Sequence, residues 1–158
     1  MLEDAITNDG LLKPEILNKL YDEALELSNS IVAYLGRIKK SLKGIGADLM
    51  GFYTLECKRI ISGVMQAMSW CLMQKGVGNG EMSVDEAAMK KNRLSNNQLF
   101  DVSVCCDMKK FPSEFTEYSN SVKTLYAKII RVDRLLFEGG VLEENPVLNL
   151  INKIENNS

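Results

Sequence analysis

The sequence predicts an all-α protein, an antiparallel bundle of three long helices with a short extra helix after the second and a short C-terminal helix. Over three long stretches, apolar residues recur at helical spacings, mostly alternating steps of three and four. Glycines follow each of the three stretches and are expected to end the helices. No alternation of the strand type is longer than the ambiguous segment 100–105. A chain of 158 residues, 46% of them hydrophobic, is predicted to form a single domain over residues 1–158.

The first long helix is predicted to begin at Pro14, because proline suits the first turn of a helix. Residues 1–12 precede it and are expected to form a flexible N terminus. Gly44 and Gly46 interrupt the pattern and are expected to end the helix. Its apolar stripe comprises Leu17, Leu20, Ala24, Leu27, Ile31, Tyr34 and Ile38.

The second helix, predicted over residues 47–75, is apolar on nearly all of its faces. A helix of that kind is buried nearly all round, and two neighbouring helices cover only part of it. We therefore expect a second subunit to cover the surplus in a homodimer. The alternative is a central helix covered by the loop and tail of its own chain. The candidate dimer interface comprises Met65, Met68, Trp70 and Leu72.

The chain after the second helix is predicted to hold one short helix and one loop. Ser83 and Glu86 form a capping box, which opens a helix ending near residue 91. Residues 94–111 have no clear period and are predicted to be a loop before the third long helix. Loops of that length are often functional.

The third long helix is predicted to begin around Pro112–Ser113 and to end at Gly139–Gly140, and a short amphipathic helix follows Pro146. The three apolar stripes are expected to meet in one core. Its predicted members are Leu27, Ile31, Tyr53, Ile60, Val64, Leu125, Ile129 and Val132.

The absence of histidine excludes much of the chemistry that side chains perform near neutral pH. Neither a Ser-His nor a Cys-His nucleophile pair can be built, and no Glu-x-x-His motif is present for a di-iron bundle. The cysteines form no Cys-x-x-Cys pair and are interpreted as small hydrophobic residues; they are Cys57, Cys71, Cys105 and Cys106. We therefore expect no catalytic residue, no metal and no cofactor.

Charge and hydropathy exclude two further classes of partner. The net charge of -2 and the short lysine clusters argue against nucleic-acid binding. The most apolar run, residues 60–73, is too short to span a bilayer, and the acidic N terminus is unlike a signal peptide. A reducing, cytoplasmic location is expected.

A set of residues at fixed spacing in the middle of the chain resembles the signature of the RcdA family of alphaproteobacteria, named for the regulator of CtrA degradation. The resemblance extends over about residues 15–155, including Pro112 and the Asn145-Pro146-Val147 motif. The signature residues here are Tyr53, Glu56, Arg59, Met65, Gln66, Ser69, Trp70, Gln74, Gly80, Glu81 and Met82.

This resemblance implies a homodimeric helical bundle that acts as a non-enzymatic adaptor between proteins. Such an adaptor helps to deliver a cell-cycle transcription factor, CtrA or one like it, to the ClpXP protease, together with a response-regulator-like protein and a cyclic-di-GMP-binding effector. The alternative is a helical dimer that acts as a transcriptional or structural regulator.

The signature also has a direct physical interpretation. Glu56, Gly63 and Trp70 fall on one flank of the second helix. Glu56 and Arg59 are three residues apart and can pair, with Gln66 or Tyr53 as further hydrogen-bond partners. The flank is predicted to form a structural polar network, and a partner-binding site is the alternative. Gly63 would allow another helix to approach closely.

Overall fold

A computed structural model of the chain describes residues 2–38, 42–94, 99–100 and 108–138. Three long helices dominate it: α1 (Pro14–Ile38), α2 (Ala47–Gly78) and α4 (Ser113–Phe137), with the short α3 (Val84–Ala87) after the second. The all-α prediction is confirmed. The expected helix after Pro146 and the residues Cys105 and Cys106 lie outside the described part.

The helix ends follow local chemistry. Helix α2 ends before Gly80, whose φ of 76° is in the left-handed region that glycine adopts without strain. The Glu81 N–H then bonds back to the Gly76 carbonyl at 2.8 Å. Ser83 caps α3, because its Oγ accepts from the Glu86 N–H at 3.1 Å, as the capping box predicts.

Helix α1 runs antiparallel to both α2 and α4, whereas α2 and α4 run parallel to each other. Glu56 meets Ser119 and Trp70 meets Asp133, so the sequence offset between the two helices is constant. The prediction of an antiparallel bundle therefore needs a correction for this pair. The physical reason is that the chain between α2 and α4 returns along the bundle before α4 begins.

The core has one cluster at each end of the bundle. The cluster near the start of α1 combines Leu17 and Leu20 with residues late in α2 and α4, and the other combines Ile31 and Tyr34 with residues early in both helices. All eight predicted core residues except Leu27 are buried; Leu27 is partly buried at the edge that faces α4.

The N terminus, predicted to be flexible over residues 1–12, packs against the bundle over its described residues 2–12. Residues Leu2–Ala5 form a 3-10 helix, Ile6 and Leu12 form an antiparallel bridge, and Ala5 and Leu12 are buried in the core. The turn between them uses Gly10 at a φ of 77°. Such a short turn has no helical period, so the sequence pattern gave no signal for it.

The described parts of segment 94–111 are anchored by large apolar side chains. Leu94 and Phe111 are buried, and Met108–Lys110 form a 3-10 helix. None of the helices in the described part of the chain is long and apolar enough to cross a membrane.

Candidate functional site

The seam between α2 and α4 contains a buried carboxylate at Glu56, which is 1% exposed. Arg59 Nη1 donates to it at 3.2 Å and Ser119 Oγ at 2.6 Å, while Lys123 Nζ lies at 3.3 Å. The predicted Glu56–Arg59 pair is therefore present. Two hydrogen bonds and one ion pair compensate the carboxylate for the water it loses.

Gln66 and Tyr53 do not supply the further partners that we expected for Glu56. Gln66 instead bridges the same two helices, since its Nε2 donates to Ser62 Oγ at 2.8 Å and its Oε1 accepts from the Tyr126 hydroxyl at 3.0 Å. Tyr53 packs its ring against Phe115 with centroids 4.8 Å apart. Burial and a hydrogen bond with Cys57 raise the pKa of Tyr53.

A second polar cluster lies in the same seam, closer to the C-terminal ends of α2 and α4. Asp133, which is 0% exposed, accepts from Trp70 Nε1 at 2.9 Å and from Arg93 Nε at 2.8 Å. Arg93 Nη2 also donates to Glu138 at 2.7 Å. Arg93 thus ties the chain after α3 to the end of α4.

Trp70 was predicted in the dimer interface, and this is wrong. Its side chain is 1% exposed within the single chain. The indole packs in the core, and its N–H donates a hydrogen bond to Asp133. The physical reason is that the Trp70 flank of α2 faces α4, on the opposite side from Met65 and Leu72.

The returning chain covers the middle of the seam at Phe100. A Cβ built on Gly63 would lie 2.8 Å from Phe100 Cζ and 2.9 Å from Val122 Cγ1, so only glycine fits. The Phe100 ring meets Tyr126 edge-on at 5.1 Å, and Arg59 Nε donates to the Leu99 carbonyl at 3.3 Å. The sequence predicted that another helix approaches closely at Gly63. Helix α4 does so through Val122, and the loop that carries Phe100 approaches the same position.

The other signature residues are scattered and do not converge on one pocket. Met65, Ser69 and Glu81 are exposed, Met82 is partly buried, and Gly80 forms the turn after α2. Gln74 is 7% exposed, and its Nε2 has no hydrogen-bond partner among the described residues. Across residues 2–38, 42–94, 99–100 and 108–138, no group of acidic or cysteine side chains is arranged to hold a metal ion.

On the opposite flank of α2, where this helix packs on α1, lies an apolar surface that is exposed in the described part of the chain. The Lys75 ammonium lies 4.0 Å from the Tyr21 ring centroid, which places the end of α2 beside the first half of α1. Met68 is partly buried and packs against the core. We call this surface the α1/α2 face; its exposed large side chains are Leu25, Val32, Ile61, Met65 and Leu72.

Sequence reasoning missed the α4 half of the polar seam. Ser119, Tyr126 and Asp133 are spaced by seven residues, as are Glu56, Gly63 and Trp70 on α2. Two rows of that spacing stay in register along parallel helices. The row on α4 can be read from the sequence beside the apolar stripe of that helix. The two rows were not paired, because α2 and α4 were assumed to run antiparallel. Arg93 gave no signal, because it lies outside the long helices.

Comparison with known proteins identifies the fold and the family. The crystal structure of RcdA from Caulobacter crescentus CB15 is similar, with a TM-score of 0.62 and 21% identity over 79% of this chain and 93% of that chain. No curated protein sequence matches the chain. A family model described as "Protein of unknown function (DUF1465)" matches residues 8–157, and the chain therefore belongs to that family.

Proposed function

We propose that this protein is a non-enzymatic adaptor that binds other proteins in the cytoplasm and acts as a homodimer. The observation that carries the proposal is the α1/α2 face, where five large apolar side chains stand exposed across two helices. Contiguous apolar surface on a soluble domain usually marks a site of protein association.

The chemistry of the α2/α4 seam supports a binding role over catalysis. The carboxylates of Glu56 and Asp133 are fully buried and hydrogen-bonded to protein groups. A general acid or base must reach a substrate atom, whereas these two groups are buried between α2, α4 and the described residues that follow α3. Their arrangement suits the fixing of helix register.

The partner proposed for the α1/α2 face is a second copy of this chain. Two-fold pairing through the centre of the face would bring Lys58 of one protomer toward Asp22 of its partner. Along their helices the two residues lie about 13 Å and about 10 Å from that centre, toward opposite ends. Both are exposed, and neither forms an ion pair with another described residue.

The proposed client is a CtrA-like transcription factor, delivered to the ClpXP protease with a response-regulator-like protein. The similarity to RcdA in fold supports this choice. Degradation of the purified transcription factor by ClpXP, with and without the chain, tests it. The proposal predicts faster degradation when the chain and the response regulator are both present. An unchanged rate, together with direct binding of the chain to DNA or RNA, would favour the alternative of a transcriptional regulator.

A further inference from the structure

The third groove of the bundle, between α1 and α4, is an open cleft of about 390 Å³ with acidic walls. Glu23 and Glu26 stand on α1, and Glu114 and Glu117 on α4. A cleft of that volume is within the range that binding sites occupy. It is distinct from the α1/α2 face and from the α2/α4 seam.

Two ion pairs between the helices bracket the cleft. Lys128 Nζ lies 3.0 Å from Glu23 Oε2 at one end, and Arg37 pairs with Glu114 at the other. Glu23 and Arg37 are separated by about 21 Å along α1 at 1.5 Å per residue. The bracketing pairs leave a groove long enough for two to three turns of a helix, or for a short extended peptide.

Small side chains keep the middle of the groove open. Ser30 and Ser121 both line it and lie opposite each other in the register that the two ion pairs define. Leu27 and Tyr118 provide its apolar lining. The cleft therefore offers apolar contact in addition to charge.

A buried polar group borders the same wall. The Tyr118 ring packs on Tyr34 with centroids 5.1 Å apart. Tyr34 is 3% exposed, and its hydroxyl lacks a hydrogen-bond partner among the described residues. Burial and the nearby Glu114 carboxylate raise the pKa of Tyr34 to about 12, so its hydroxyl stays neutral. The hydroxyl oxygen is buried and Tyr34 does not line the cleft, so Tyr34 supports the Tyr118 wall from behind and offers no direct contact to a ligand.

The charge of the cleft is not balanced. Glu23 and Glu114 are neutralised by their ion pairs, but Glu26 and Glu117 are exposed and have no ion-pair partner in the described part of the chain. Unpaired carboxylates at two places along the groove attract cationic groups and disfavour an acidic ligand.

We propose that the α1/α4 cleft docks a basic peptide segment of a protein partner, in which lysine or arginine side chains flank one large apolar side chain. One cation pairs with Glu26 and another with Glu117, and the apolar side chain packs on Leu27 and Tyr118. This inference rests on the proposed adaptor function and names the chemistry of the partner segment.

The test uses the full chain and two fluorescein-labelled nine-residue peptides. One carries four lysines and a central leucine, and the other has glutamate in place of each lysine. Anisotropy at about 0.15 M salt should show binding of the lysine peptide only. Glu26→Gln with Glu117→Gln should weaken that binding about fivefold or more. The control, Glu15→Gln with Asp85→Asn, removes the same charge at exposed sites outside the cleft and should leave the affinity unchanged.

Equal weakening by both double variants would mean a general attraction to a negative surface and would overturn the proposal, as would absence of binding. Lys58→Asp reverses a charge outside the cleft and should not alter peptide binding. If the peptide binds the cleft while ClpXP assays show no stimulation, the docking inference stands and the proposed client is wrong. If stimulation persists in the Glu26 and Glu117 double variant, the adaptor function stands and the cleft is not its docking site.

Discussion

Helix α2 packs through two flanks of opposite character. The flank toward α4 carries Glu56 and Trp70, whose polar atoms meet Ser119 and Asp133 in a seam that the returning chain covers. The flank toward α1 carries Ile61, Met65 and Leu72 and exposes them. The first flank fixes how the helices of one chain align, because a shifted register would strand buried charges. The second leaves large apolar side chains exposed in the described part of the chain, where they are available to another molecule.

The largest expected effect is on the covered flank. Asp133→Ala leaves the Arg93 guanidinium and the Trp70 indole N–H without their shared acceptor. Loss of one partner of a buried pair should lower the free energy of unfolding by about 3–5 kcal/mol. Urea titration measures it, with the exposed Asp85→Ala as control. A loss below about 1 kcal/mol would mean that the seam does not fix the register.

Steric fit in the same seam should have a smaller effect. Gly63→Ala would place a methyl group within 3 Å of Phe100 and Val122, so it should lower the free energy of unfolding by about 1–3 kcal/mol. Gly51→Ala is the matched control on α2, since nothing lies within 4 Å of its built Cβ. The control should be neutral or stabilising by up to about 1 kcal/mol. Equal behaviour of the two variants would contradict the close approach.

The smallest effect concerns a buried polar group without a partner. Tyr34→Phe removes a hydroxyl that has no hydrogen bond in the described structure, so at pH 7 it should change stability by less than about 0.5 kcal/mol. At high pH the direction of the effect on stability follows from the pKa of Tyr34. The pKa of Tyr34 is raised from 10.0 to about 12, so its contribution is complete below pH 10 and is lost as pH rises toward 12.

Thermal denaturation from pH 9 to pH 12 checks this prediction. Tyr34→Phe should lose less stability than the wild type above pH 10. Identical profiles would place the titrating groups elsewhere, for example at Cys71, whose pKa burial raises to about 12. A large loss at pH 7 would reveal a partner for the hydroxyl and would weaken the contrast with Glu56 and Asp133.

The helices were predictable from the sequence, because apolar period, glycine and capping residues act locally. Pro14 begins α1 and Ala47 begins α2 as predicted. The parallel direction of α4 was not predictable in this way, since it depends on the path of the chain after α3. Trp70 shows the consequence. The large apolar surface of a tryptophan predicts burial, but the position of α4 decides whether its flank of α2 meets a neighbour within the chain or a second copy.

The site was predicted only in part. The Glu56–Arg59 pair followed from i, i+3 spacing on one helix. Its partners Ser119 and Lys123, and the whole Asp133 cluster, join residues far apart in sequence. The α1/α2 face also exceeds the predicted interface, because Leu25 and Val32 of α1 complete it. Neither residue belongs to the predicted core stripe of α1.

Sedimentation velocity at micromolar concentration tests the central claim, that the α1/α2 face joins two copies of this chain. The account predicts a dimer for the wild type and a folded monomer for Leu72→Asp, whose side chain is 52% exposed in the single chain. The control is Val84→Asp, an equally exposed apolar residue outside the face, at 47%, and it should remain a dimer. Lys58→Asp should weaken the dimer, and adding Asp22→Lys should restore it. A wild type that sediments as a stable monomer of about 18 kDa would contradict the claim, as would a Leu72→Asp variant that still dimerises.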